Sequence, residues 1–240
     1  MQEQFSRTIR LIGNTAFERL QGATVMVVGL GGVGGHTFES LLRMGVGHII
    51  AVDGDEVSLS NCNRQILATH ATVGMRKAEV AKARGAEISP DTKVTPVDLF
   101  VTDENAMDLL TTYAPMVVLD CIDTVKAKIA LAKAAQELNI PLVACMSTGN
   151  KLDPTRLQIG DIAKTHTCPL CRVMRKGLKE VGITHLTVVW SDEPPISPTE
   201  TPTEHGKHIP ASVPFVPTSA GILLAKAAYD ILCPLHEDTL

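Results

Sequence analysis

The chain has 240 residues, 45% of them hydrophobic and 20% charged, the size and composition of one large globular domain or two small ones with a well-buried core. Only eight residues are aromatic (one Trp, two Tyr, five Phe), against 18 Gly and 14 Pro, which suits a parallel sheet packed by aliphatic helices better than an aromatic-rich barrel. The net charge of -4 excludes a strongly basic protein that coats nucleic acid through phosphate contacts, although it leaves room for a local basic patch.

The N-terminus carries Glu3, Arg7 and Arg10 where a signal peptide would be apolar, and no apolar run approaches the length of a membrane span, so a cytoplasmic protein without a membrane partner is expected. A continuous apolar run from Thr24 to Val28 then predicts a buried strand, and Gly29-Leu30-Gly31-Gly32-Val33-Gly34 after it opens a helix. Glycines in this GxGxxG pattern permit a tight turn and let backbone N–H groups approach a phosphate at the positive end of the helix. The run His48 to Asp53 predicts the second strand. It ends 24 residues after Gly29 in an acid placed to accept hydrogen bonds from a ribose hydroxyl. Strand, glycine loop, helix, strand and acid fall in order, so a nucleotide site is expected.

Asp55 and the polar cluster Ser60-Asn61-Cys62-Asn63-Arg64-Gln65 follow, beyond a strand's carboxyl end where open sheets bind ligands. A redox dinucleotide has no need of an arginine and amides there, whereas a triphosphate has. Lys77, opening a predicted helix, adds a second cation. A third strand, Met116 to Asp120, leads to Asp123, whose carboxylate suits Mg2+ shared with waters and phosphate oxygens. Taken singly, Arg64 also suits a surface ion pair, Lys77 a solvated helix charge, Arg7 an ordinary terminal charge and Asp123 a helix N-cap, while Asp120 suits a strand-end cap better than a metal.

A helix from Val125 to Asn139 and a strand from Ile140 to Met146 complete the first half. The expected fold is α/β, a doubly wound, Rossmann-like, mostly parallel sheet with helices on both faces. We expect a single domain over 1–240, its ATP-binding half being 1–150 and its substrate-side half 151–240. In the second half, Arg156 to Asp161 and His185 to Trp190 predict strands flanking a helix from Cys168 to Glu180. Arg172, Arg175, Lys176 and Lys179 recur on that helix at spacings of three and four, as one basic stripe or a solvated face. Ser191 to Pro217 holds seven of the 14 prolines and predicts a long, partly mobile crossover loop before a final helix from about Thr218 to Leu232.

The segments SRTIR, GLGGVGG, VDGDEV, SNCNRQ, GMRKAE and LDCIDT, in this order and spacing, resemble the adenylating domain shared by ThiF, MoeB, HesA and the ubiquitin-activating enzymes. The resemblance implies that the glycine loop (Gly29, Gly31, Gly32, Gly34) and Asp53 hold ATP. It further implies that Asn61, Arg64 and Lys77, with Asp55 and Gln65 beside them, contact the phosphates, and that Asp123 supports Mg2+. Arg7 resembles an arginine that the family donates across a homodimer interface, so a homodimer is implied. Within the family, the stretch from Asn150 onward resembles the tRNA threonylcarbamoyladenosine dehydratases, which implies ATP-dependent cyclisation of that nucleoside at position 37 of tRNA through a carboxyl adenylate. The alternative is an adenylyltransferase that activates the C-terminal Gly-Gly of a ubiquitin-like sulfur carrier, and a sulfur-relay protein is a possible partner in either case. A structural zinc on Cys168 and Cys171, with Cys233 and His236 as the second pair, is chemically reasonable but less expected than inert cysteines.

Overall fold

The computed structural model describes residues 3–200 and 210–234, and the backbone of 203–204 and 207–208. Its centre is a seven-stranded sheet in the order β3-β2-β1-β4-β5-β7-β6. The strands are β1 (Thr24–Val28), β2 (His48–Val52), β3 (Lys93–Val97), β4 (Val117–Asp120), β5 (Leu142–Cys145), β6 (Leu157–Asp161) and β7 (Thr187–Ser191). Every pairing is parallel except β6 with β7, and strands from both sequence halves share this one sheet.

Strands β1, β2, β4 and β5 are buried on both faces, which is why they read as unbroken apolar runs. One face is covered by α2 (Asn14–Gly22), α3 (Gly34–Met44), α4 (Lys77–Ile88) and α8 (Phe215–Leu232), which enclose Val25, Val27, Ile49, Leu119 and Val143. The other is covered by α5 (Ala106–Tyr113), α6 (Val125–Glu137) and α7 (Pro169–Glu180) over Met26, Val28, Ile50, Val118 and Val188. A short helix α1 (Ser6–Ile12) precedes these layers and contains no buried residue.

Register sets the position of the site. Val28 pairs with Val52 on one side and with Asp120 on the other, so Gly29, Asp53 and Cys121 emerge at one level at the carboxyl edge. This edge is where the chain order switches direction about β1, the place where open α/β sheets bind ligands.

Two features differ from the sequence expectations. Strand β3 was not anticipated because Pro96 interrupts it, and it occupies the sheet edge, where a missing N–H costs no ladder bond. The final helix begins at Phe215, three residues earlier than expected, with Pro217 in its first turn, where no intrahelical N–H bond is required. Within the crossover β8 (Thr203–Glu204) pairs antiparallel with β9 (Lys207–His208), and the crossover is anchored on either side of this pair. Asn150 ties both of its ends, its carbonyl accepting from Ile196 N at 2.8 Å and its side chain from Ala211 N at 2.8 Å.

Helix α8 also departs from the expectation that no segment is long and apolar enough to cross a membrane, since by length and composition it is. It is instead a core helix: Val216, Ala220, Leu224 and Ala228 are buried, and Gly221 sits so close to α3 that a Cβ there would stand 2.5 Å from Val33 O.

Candidate active site

The glycine run between β1 and α3 is shaped by contacts that only glycine allows at two positions. Gly29 adopts φ +88°, with the Cys121 carbonyl 3.0 Å from where a Cβ would lie, and at Gly34 a Cβ would fall 1.7 Å from Gly29 O. The loop therefore folds tightly upon itself and directs the start of α3 outward. At Gly31, by contrast, among the described residues only Gln65 Nε2, at 3.7 Å, comes within 4 Å of a Cβ position, so that face is open to a phosphate. At Gly32 the nearest groups are the Pro217 ring and the aliphatic stem of Arg64, 3.3 and 3.4 Å away.

Asp53 follows β2 and is 8% exposed. Its Oδ2 accepts the Leu30 N–H of the glycine loop at 2.6 Å and its Oδ1 accepts the Asp55 N–H at 2.8 Å. Burial pushes this carboxyl above its usual range, while the Lys77 charge and the two N–H bonds pull the other way. The chain of contacts continues: Lys77, 5% exposed at the start of α4, places Nζ 3.0 Å from Asp55 Oδ2. A solvated helix charge is thereby excluded for Lys77, and Asp55 holds its ammonium beside the loop.

Arg64 lies on the segment after a short 3-10 turn, Leu59–Asn61. It makes no ion pair among the described residues; its Nη1 donates to Ser60 O at 3.1 Å and Asn63 Oδ1 at 2.9 Å, leaving the rest of the guanidinium fork available. Asn61 caps the turn, its Oδ1 accepting the Ser58 N–H at 3.1 Å, and Gln65 is buried against the loop. Asp123 is exposed, and its Oδ1 accepts from Thr124 Oγ1 at 3.3 Å. It does not cap α6, whose N-cap is Thr124. Among the described residues no group of three or more His, Cys, Asp or Glu is arranged to hold a metal, so Mg2+ at Asp123 would take its other ligands from phosphate and water.

Three supporting residues were not legible in sequence. Lys128 is fully buried beneath the β4–α6 loop, with Nζ 3.1 Å from Ile122 O and 2.9 Å from Asp120 Oδ2. Asp120 also accepts the Ile122 N–H, and burial raises its carboxyl despite the Lys128 charge. This pair fixes the loop that carries Asp123. Its signal was the helical stripe Lys128, Leu131, Ala132 and Ala135, spaced i, i+3, i+4 and i+7. His36, in the first turn of α3, faces the Arg64 carbonyl and pairs its Nε2 with Thr218 Oγ1 at 3.1 Å, linking the loop, Arg64 and α8. Lys151 is the third, buried beside the end of β5.

Arg7 is not at this site. Phe5 packs on Phe17 and beside Gly45 at the far end of α3, a helix whose eleven residues rise about 16 Å. Arg7 lies on α1 with Arg10 and Leu11 around an open hollow, and Leu11 is 86% exposed. The zinc arrangement is also not formed. Cys168 and Cys171 belong to the core on the α6–α7 face, whereas Cys233 lies on the opposite face with its thiol on Ala16 O; His236 lies outside the described residues. In the basic stripe, Arg172, Lys176 and Lys179 are exposed, but Arg175 turns inward and donates to Thr165 O at 2.9 Å and to its hydroxyl.

A nucleotide-binding α/β protein with a carboxylate-braced phosphate loop and two cations beside it is thus defined. The ThiF family profile matches residues 5–238, and the chain belongs to the ThiF family. It is 40% identical over 235 residues to the tRNA threonylcarbamoyladenosine dehydratase of Bacillus subtilis, covering 93% of this chain and 92% of that protein. The crystal structure of E. coli tRNA N6-threonylcarbamoyladenosine dehydratase in complex with AMP superposes with a TM-score of 0.89 at 33% identity, covering 96% of this chain and 94% of the other. The ATP complex of that protein superposes with a TM-score of 0.88 over the same shares, again at 33% identity. Molybdopterin-synthase adenylyltransferase of Salmonella typhimurium is 38% identical over only 127 residues, 53% of this chain and 50% of that protein.

Two outcomes follow from the geometry. Asp53→Asn exposes one of the two N–H groups to an amide NH2, an unsatisfied buried donor worth about 1–3 kcal/mol, and should weaken ATP binding by roughly 10- to 100-fold in calorimetric titration. Unchanged affinity would show that the Asp53 brace does not shape the nucleotide site. His36 titrates below its usual 6.5 because it is partly buried, so on acidification the unfolded chain takes up the proton first. Its contribution to stability is complete above that value and is lost as pH falls below it; urea midpoints from pH 7.5 to 5.5 should fall in the wild type and fall less in His36→Gln.

Proposed function

We infer that this chain is an ATP-dependent tRNA threonylcarbamoyladenosine dehydratase. The observation that carries the reading is a match along essentially the whole chain, in sequence and in fold, to dehydratases, one of them solved with AMP and with ATP. The sulfur-carrier adenylyltransferases match only about half of the chain, which disfavours the second reading.

The chemistry suits the residues. A carboxylate is a poor electrophile because attack on it must expel an oxide. Transfer of AMP to the threonyl carboxylate makes a mixed anhydride whose leaving group is AMP. The neighbouring carbamoyl group then closes the ring and AMP departs, a net loss of one water. Positioning and charge neutralisation supply the catalysis. Gly31 and the start of α3 present N–H groups to phosphate, Lys77 and Arg64 offset the charge that develops on pyrophosphate, and Asp53 orients the ribose side of the loop. Mg2+ held at Asp123 would add a further positive charge at the phosphates. No protein nucleophile is required.

The tRNA contact is proposed for the exposed cations Arg172, Lys176 and Lys179 of α7, with shape and phosphate recognition in place of base stacking. We propose a cytoplasmic location, as the reading of an ATP-using enzyme of tRNA implies. We assign Arg7 to the neighbouring subunit's site in a homodimer, because its own site lies at the other end of α3 and Arg7 stands exposed on α1 beside the exposed Leu11.

The test is to incubate the protein with Mg-ATP and either tRNA carrying threonylcarbamoyladenosine or a Gly-Gly carrier protein. With the tRNA, AMP should form and the nucleoside should lose one water; AMP formation only with the carrier would overturn the reading. Arg7→Ala and Arg64→Ala should each be inactive alone, while an equimolar mixture recovers about a quarter of the activity, since half of randomly exchanged dimers carry one intact site. No recovery would remove the shared site.

A further inference from the structure

Helix α7 begins with Cys168-Pro169-Leu170-Cys171, which neither the nucleotide site nor zinc explains. Cys168 is the N-cap and Cys171 lies one turn on, so the two side chains share one face at the positive end of a 12-residue helix. Cys168 is 2% exposed and Cys171 0%, and the Cys171 thiol faces the Cys168 sulfur. Around that sulfur lie the backbone N–H groups of Cys171 and Ser147.

A second, independent feature points the same way. Lys151 is 3% exposed, its Nζ donates to Ser191 O at 3.2 Å, and among the described residues no carboxylate comes within ion-pair distance of it. A buried ammonium without a counter-ion is costly. The Cys168 sulfur is close enough for the Lys151 charge to act on it and to favour its deprotonation. The two thiols are accordingly driven apart: the neighbouring Cys171 thiol and N–H groups lower Cys168, while Cys171 is raised. The remaining cysteines lack this setting. Burial pushes Cys145 up to about 12 and raises Cys121 and Cys233.

We propose that Cys168 and Cys171 form a redox-active dithiol that hydrogen peroxide converts to an intramolecular disulfide, with Cys168 as the attacking sulfur and Cys171 as the resolving one. In the first step the Cys168 thiolate attacks one peroxide oxygen and the O–O bond breaks; the hydroxide released takes a proton to become water, and Cys168 becomes a sulfenic acid. In the second, the Cys171 sulfur attacks the Cys168 sulfur and gives up its proton, and the hydroxyl leaves as a second water. The two sulfurs together lose two electrons and the peroxide gains them. Burial of both sulfurs selects a small oxidant over a bulky disulfide. The pair sits next to Ser147, just beyond β5 on the sheet edge that also carries Asp123, so oxidation would act beside the substrate side of the enzyme.

The test treats the reduced, full-length native protein with stoichiometric hydrogen peroxide, alkylates it under denaturing conditions and analyses tryptic peptides by mass spectrometry. Both cysteines fall on one peptide, Thr165 to Arg172. It should lose two hydrogens and resist alkylation at least about tenfold faster than Cys62, Cys121, Cys145 or Cys233 are oxidised. Cys171→Ser should stop at a Cys168 sulfenic acid captured by dimedone, and Cys168→Ser should leave Cys171 reduced. A peptide that stays doubly alkylated while Cys62 oxidises, or a disulfide from Cys168 to any other cysteine, would overturn the proposal. The wild-type measurement decides it even if a variant does not fold.

Discussion

The carboxylate of Asp53 joins the parts of the molecule that must act together. One oxygen takes an N–H from the glycine loop and the other an N–H from the segment beyond β2, while Asp55 passes the connection on to the buried Lys77. Two strand ends and a helix start are thereby fixed relative to one another by polar bonds, with Asp53 and Lys77 buried and Asp55 reaching toward solvent between them. The arrangement has a cost, seen in the raised carboxyl, and the surrounding N–H groups and cation offset it. On the other side of β1 the same device recurs: Asp120 and Lys128, both buried, hold the loop that presents Asp123. The site is a rigid frame onto which exposed groups, Arg64 and Asp123, are mounted.

Such a frame explains why the reaction needs no protein nucleophile. Adenylation asks for a triphosphate held in one orientation and for positive charge where pyrophosphate departs, and in the proposed mechanism the preorganised loop with Arg64 and Lys77 meets both needs. The crossover segment is drawn toward this frame from the second half of the chain. Asn150 binds it at Ile196 and Ala211, and Asn63, one residue from Arg64, donates to Ser212 O at 3.0 Å. His36 adds a bond to Thr218 at the start of α8. The proline-rich stretch is therefore part of the site's architecture as well as a connection.

Much of this was legible because it is written in local patterns. The apolar runs of β1, β2, β4 and β5 reflect burial on both faces, and the glycine spacing reflects close backbone contacts that no other residue permits. What escaped depended on partners far away in sequence. Pro96 hid β3 because only the sheet's order shows that it is an edge strand. Lys128 and Lys151 were not singled out because their partners, Asp120 with Ile122 O and Ser191 O, come from other elements. Arg175 looked like part of a phosphate-facing stripe, but its guanidinium is spent on Thr165. The Cys-Pro-Leu-Cys motif was visible, yet its separation from Cys233 by the whole sheet was not.

The account's central claim is that dehydration proceeds by adenylation of the threonyl carboxylate, and isotope transfer tests it most directly. Threonylcarbamoyladenosine tRNA labelled with oxygen-18 in that carboxylate would be turned over with Mg-ATP, and the products examined by mass spectrometry. The account expects one labelled oxygen in the phosphate of AMP for each ring closed. Label in inorganic phosphate with ADP as the nucleotide product, or label released to water with AMP unlabelled, would contradict it.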